Sequence, residues 1–182
     1  MSWDSFFVSM AALMFLFQIG NTGKYRSLKR SYERVLAFMK FNKILVAYDG
    51  SPLSDKAIDQ IAHLIQTDPS VKLEVLHVAH SPNLVVGEAF IPPSAEIRRS
   101  VYEDADNVLK RAAERLEAFS VTAHIQMREG QPAPVIIEVA RETNCDLIVV
   151  GSRGLSGFRE LFLGSVSHGV VQHSPLPVLV IK

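Results

Sequence analysis

The residues best suited to chemistry lie late in the chain. Gly151-Ser152-Arg153-Gly154 follows an apolar run, nine residues intervene from Leu155 to Leu163, and Gly164-Ser165-Val166-Ser167 then opens a helix-like stretch. Phosphate oxygens need close main-chain approach and converging N–H groups, which residues without Cβ permit, and a helix amino terminus adds unpaired donors and a positive partial charge. The hydroxyls of Ser165 and Ser167 can donate to phosphate oxygens, and Arg153 or Arg159 can offset part of the ligand's charge. What charge remains favours a divalent ion. For an arbitrary pair of glycines a bare strand-to-loop turn with a spacer glycine is the commoner reading, so the weight rests on the elements that frame them.

Those elements read as an alternation. Lys43 to Tyr48, KILVAY, is a short apolar run stopped by Asp49-Gly50-Ser51-Pro52, the punctuation of a buried parallel strand entering a turn. Ser54 can cap a following helix with Ala57, Ile58, Ile61, Ala62 and Ile65 at helical spacing, ending near Asp68-Pro69. Lys72 to Val78 is a second strand, followed by a long loop holding Pro82, Gly87, Pro92 and Pro93. A long amphipathic helix from Ser94 to about Phe119 leads to a third strand over Val121 to Met127. Gly130-Gln131-Pro132 turns into another helix, Leu147 to Val150 forms a fourth, wholly apolar strand, and a short helix from Ser165 precedes a last strand, Pro177 to Ile181. Five strands alternating with helices predict an α/β fold: an open, mostly parallel five-stranded sheet with helices on both faces. Ligands of such sheets sit beyond the carboxyl ends of the strands, at the switch in strand order.

Composition bounds the reading further. The 182 residues suit one domain of ordinary make-up, 48% hydrophobic and 21% charged, which excludes disordered, collagenous and disulfide-stapled classes. The formal net charge is zero, but residues 1–38 hold five Lys or Arg against two Asp or Glu, leaving residues 39–182 at −3. A mildly acidic body disfavours nucleic acid, which needs clustered cations. Cys145 is the sole cysteine, so no internal disulfide or cysteine-ligated metal site can form.

Residues 1–38 read as an amino-terminal tail on a domain spanning 39–182. Its uncharged run from Phe6 to Ile19 is short for a membrane span, and the order of acidic and basic residues is reversed for a signal peptide. An upstream extension that the natural start at Met39 omits, a membrane anchor through residues 3–20, and a docked partner helix all remain open. Were the tail to insert, its basic cluster would keep the body on the cytoplasmic side. A cytoplasmic location is expected on each account, with membrane contact only if the tail is real.

The surrounding residues resemble the universal stress protein family. ILVAYDGSPLSDKA from Ile44 to Ala57 looks like that family's opening strand and first helix. DLIVVGSRG from Asp146 to Gly154, followed by Gly164-Ser165 and a terminal PVLVIK, looks like its nucleotide-binding signature. The likeness covers nearly all of residues 40–182. It implies a Rossmann-like sheet of order 3-2-1-4-5, homodimers joined through the last strand, and a pocket for ATP, together with Mg2+, over the ends of strands one, two and four. By the same likeness Ala47, Tyr48 and Asp49 border the nucleoside, with Asp49 on the ribose or metal side, and Val78 lines the adenine slot. Val150, Gly151, Arg153 and Gly154 pass close to ribose and phosphates, and Gly164, Ser165, Val166 and Ser167 present main-chain and hydroxyl donors to the phosphate chain. Asp49 before Gly50 also reads as a simple turn former, and the direction of the Tyr48 ring is left open.

Other signals are weaker. No Walker loop, dinucleotide fingerprint or nucleophile elbow keeps its register. His77 and His80, three apart at a strand end, alternate faces and make a poor metal pair, and His168 and His173 are off the shared-face spacing. The expected function is an ATP-binding, dimeric regulatory or stress-response module. No general base stands beside the phosphate loop, so any hydrolysis is expected to be slow. The competing readings are an enzyme that cleaves or activates an adenylate in the same pocket, and a nucleotide-free dimeric interaction protein.

Overall fold

A computed structural model describes residues 41–80, 94–154 and 163–182, together with the backbone of two short strands, Leu84–Val86 and Ala89–Ile91. The expectations for the tail, and for Arg159, fall outside the described residues.

The first strand, β1 (Lys43–Ala47), runs through the middle of the sheet. Its Ile44, Leu45 and Val46 are each 0% exposed, as a continuous apolar run requires when helices cover both faces of a parallel sheet. Alternation divides the core. Ile44, Val46 and Tyr48 pack on one side with Ala57, Ile58 and Ile61 of α1 (Pro52–Thr67) and Ala112 and Leu116 of α2 (Ala95–Ala118). Leu45 and Ala47 pack on the other with Ile136, Val139 and Ala140 of α3 (Pro132–Glu142) and Val170 of α4 (Ser165–His173). The remaining sheet strands are β2 (Lys72–Ala79), β5 (His124–Glu129), β6 (Leu147–Gly151) and β7 (Val178–Ile181), all parallel, in the order β5-β2-β1-β6-β7. Counted along the chain, this is the expected 3-2-1-4-5 arrangement.

Three local expectations are corrected. The cap of α1 is Ser51, whose side chain accepts from the Ser54 amide, because Pro52 has no N–H to leave unsatisfied and starts the helix at its first position. Ser54 instead sits buried in the first turn, its hydroxyl donating to the Ser51 carbonyl at 2.9 Å. The long loop after β2 contains an antiparallel ribbon, β3 (Leu84–Val86) with β4 (Ala89–Ile91), in the register Val86↔Ala89. Finally, β5 begins at His124 rather than Val121. Ser120 takes φ 55° behind α2, and Ser120 and Val121 donate to the Glu117 and Leu116 carbonyls. That is a Schellman ending, so residues 119–123 close the helix before the strand can start.

Candidate functional site

The strand order turns at β1 and β6, since β1 leads to its neighbour β2 on one side and β6 to β7 on the other. In sheets of this kind ligands sit in a crevice beyond the carboxyl ends of the strands at such a switch, here the ends of β1 and β6. The loops that border it carry most of the expected site residues.

On the β1 side, Asp49 Oδ1 accepts the Ser51 amide at 3.0 Å. This Asx turn carries the chain through Gly50, at φ +76°, into α1. The other oxygen of Asp49 faces the β6 loop: a methyl group placed on Gly154 would fall 2.5 Å from Oδ2. The turn-forming role of Asp49 and its closeness to the glycine loop thus hold together, and Gly154 lacks a side chain where the carboxylate stands.

The direction of Tyr48, open in the sequence, is inward. The residue is 2% exposed and its hydroxyl donates to Asp55 Oδ1 at 2.5 Å. Burial first, and then the bond to Asp55, raise the phenol far above its ordinary value of 10.0. Asp55 Oδ2 meets Arg111 at 3.2 Å and Arg115 at 3.7 Å, both from α2, and Arg115 also clamps Asp59 with two bonds of 2.7 and 2.9 Å. Tyr48 thus borders the crevice with its main chain alone. Its N–H donates to the Leu76 carbonyl, and its carbonyl accepts from His77 Nδ1, both at 2.9 Å.

On the β6 side, Val150 is 2% exposed and belongs to the core beneath α3 and α4, so it too faces the crevice only through its backbone. Ala47, Val78 and Val166 are half-buried against the same core. Gly151 lies against α1, where an added methyl would meet Leu53 Cβ at 3.1 Å. Arg153 is exposed. Beyond it the Ser152 carbonyl accepts from the Gly164 amide at 2.7 Å and from the Ser167 hydroxyl at 3.0 Å, and Ser167 Oγ also lies 3.0 Å from the Gly164 carbonyl. Ser167 is 2% exposed. The Ser167 hydroxyl and the Gly164 amide, both expected to donate to phosphate, are here bonded to main-chain carbonyls.

What α4 retains is its first-turn amides. The N–H groups of Ser165, Val166 and Ser167 have no intrahelical acceptor, and among the described residues no side chain caps them, the N-cap being Gly164. Gly164 has φ −70° and ψ 164°, which any residue adopts, and a methyl there would make ordinary contacts, 3.4 Å from the Ser152 carbonyl oxygen and 3.5 Å from Arg153 Cα. Neither the backbone nor packing against the described residues demands glycine, while Ser at this place would cap the helix better. Ser165 is exposed beside these amides.

His77 and Asp55 shape the site without a clear sequence signal. His77 holds the Tyr48 carbonyl, whereas His80 holds the Gly130 carbonyl at 3.2 Å, so the two histidines serve different main-chain oxygens. Asp55 reads in sequence only as an acidic residue in a first helical turn, and no pattern announces its bond to Tyr48. Among the described residues no three His, Cys, Asp or Glu side chains gather to hold a metal.

A model of the universal stress protein family matches residues 40–182. The chain belongs to this family. Among curated members, universal stress protein YxiE of Bacillus subtilis is 40% identical over 148 residues, covering 78% of this chain and 99% of the relative. A universal stress protein of Methanocaldococcus jannaschii is 31% identical over 147 residues, with coverages of 78% and 82%. Among solved structures, a universal stress protein of Lactobacillus plantarum superposes with a TM-score of 0.66 at 23% identity, covering 79% of this chain and 99% of its own. Another, a universal stress protein in complex with cAMP, superposes with a TM-score of 0.59 at 25% identity, covering 78% and 97%. The family and its Rossmann-like sheet therefore agree with the strand order seen here.

Proposed function

We propose that this universal stress protein binds an adenine nucleotide, ATP with Mg2+, in the crevice between β1 and β6, and works in the cytoplasm as a homodimeric regulatory module. The observation that carries the reading is the start of α4. Three amides point out of a helix end whose cap is a glycine that neither its backbone nor its packing against the described residues requires, which suits a phosphate group seated against the main chain. The structural relative in complex with cAMP supports an adenine nucleotide as the ligand class. Asp49 would face the nucleoside or the metal side, with Ala47, Tyr48 and Val150 contributing main chain, Val78 the adenine wall, and Arg153, Gly154 and Ser165 the phosphate side. A divalent ion would have Asp49 as its protein carboxylate and the phosphate oxygens for most of its shell, and would supply charge neutralisation to the triphosphate.

Titration calorimetry of the full chain with Mg-ATP, AMP and cAMP tests this. Saturable binding to at least one of them is expected, and Gly164→Val should weaken it by at least about tenfold, because a branched side chain intrudes where phosphate would sit. Circular dichroism should show the variant folded. Absence of binding to all three, or undiminished affinity in Gly164→Val, would overturn the assignment.

A further inference from the structure

Every polar group of Tyr48 is committed. Its N–H goes to Leu76, its carbonyl to His77 and its hydroxyl to Asp55. Asp55 is in turn held from α2 by Arg111, which lies against the Asp49-Gly50 turn: a methyl on Gly50 would sit 3.4 Å from Arg111 Nη1. The residue after Tyr48 is Asp49, whose carboxylate caps the Ser51 amide with one oxygen and abuts Gly154 with the other. A ring anchored at its far end by the bond to Asp55 restrains the peptide on which Asp49 stands, because a buried, charge-assisted hydrogen bond limits the shifts that packing alone would allow. Nearby, Asp59 and Arg115 make an α1–α2 ion pair of better geometry, two bonds of 2.7 and 2.9 Å, one helical turn further from that peptide.

We propose that Asp55 is a positioning residue for nucleotide recognition, acting through the Tyr48 hydroxyl to hold the Asp49 carboxylate against the glycine loop, with Arg111 as its anchor on α2. This rests on the nucleotide-binding reading above. The two α1–α2 contacts then differ in kind: Asp55 serves affinity as well as stability, and Asp59 serves stability alone.

The test compares Tyr48→Phe, Asp55→Ala, their double variant and Asp59→Asn in the full chain, by Mg-ATP titration and by thermal unfolding without ligand. Tyr48→Phe and Asp55→Ala should each raise Kd about three- to thirtyfold, the scale of coupling carried through a packed contact. The double variant should be no weaker than the weaker single, because both remove one link. Asp59→Asn should lower Tm while leaving Kd within about twofold of the unaltered chain. Hydrogen exchange of the Ser51 amide, measured without nucleotide, should quicken in Tyr48→Phe and Asp55→Ala and stay unchanged in Asp59→Asn. Should the unaltered chain bind nucleotide while Tyr48→Phe binds it equally well and protects Ser51 equally well, the positioning role is wrong. It is equally wrong if Asp59→Asn weakens binding as much as Asp55→Ala. Failure of the unaltered chain to bind any nucleotide removes the functional reading instead, and the positioning of the Asp49 turn is then decided by the exchange rates.

Discussion

Glu74 lies in β2 with its side chain only 1% exposed, and it is nonetheless an anion. Burial alone would raise its carboxyl, but hydrogen bonds from His124, Lys43 and Gln126 outweigh that and hold it below its ordinary value of 4.5. A carboxylate whose folded value is depressed stabilises the fold fully above the unfolded value and loses that contribution as pH falls through the folded one. Glu74→Gln should therefore lower Tm near neutrality and flatten its decline as pH falls below that ordinary value, as read by unfolding scans in acid. A parallel decline in both proteins would mean that the cluster contributes nothing to acid sensitivity. At this scale the sequence is legible in residue type but not in partner. Asp49 and the glycines stand out by spacing, whereas the destination of the Tyr48 ring depends on Asp55 and on two arginines of a helix that follows a whole strand later. The Ser167 hydroxyl likewise depends on the carbonyl of Ser152, across the glycine loop, and composition around either residue carries no trace of these bonds.

Helices and strands are legible more fully than their ends. Buried runs such as KILVA and LIVV are unambiguous when each is short, bounded by turn residues and spaced by an amphipathic helix. The ends are set by hydrogen bonds that outrun the hydrophobic pattern. Ser120 and Asn144 both stand at positive φ behind α2 and α3; asparagine is an accepted substitute for glycine there, but serine is not, so the ending of α2 is not advertised. Ser120 is exposed and gains nothing visible from its side chain. Ser120→Gly should accordingly stabilise the domain by about 1 kcal/mol, the order of the left-handed penalty for a residue with Cβ, and denaturant unfolding would measure it. No gain would mean that the serine side chain offsets its own strain. The β3–β4 ribbon escapes the pattern for another reason. Two apolar triplets around Gly87-Glu88 fit a tight hairpin, but the prolines on either side read as plain loop.

At the scale of the whole molecule the two sheet edges differ. β5 presents His124, Arg128 and Glu129 as exposed positions, charged and polar groups of the sort that discourage edge pairing. β7 is Val-Leu-Val-Ile, half-buried along most of its length and without a charge. That contrast favours β7 as the seam of the proposed homodimer. Sedimentation of the 20.2 kDa chain should give about twice that mass, and Val178→Lys, a side chain long enough to carry its charge out of the core, should return it to the single mass. A sheet of this order also imposes a timetable on synthesis. β1 touches β2 soon after it is made, but its other flank pairs with β6 roughly a hundred residues later, Ile44 against Leu147. A nascent chain leaving the ribosome can assemble β5-β2-β1 while one side of β1 still lacks its neighbour. The crevice that β1 shares with β6 does not exist until roughly the final fifth of the polypeptide emerges, so a fragment released before that point has nowhere to seat a ligand between these strands.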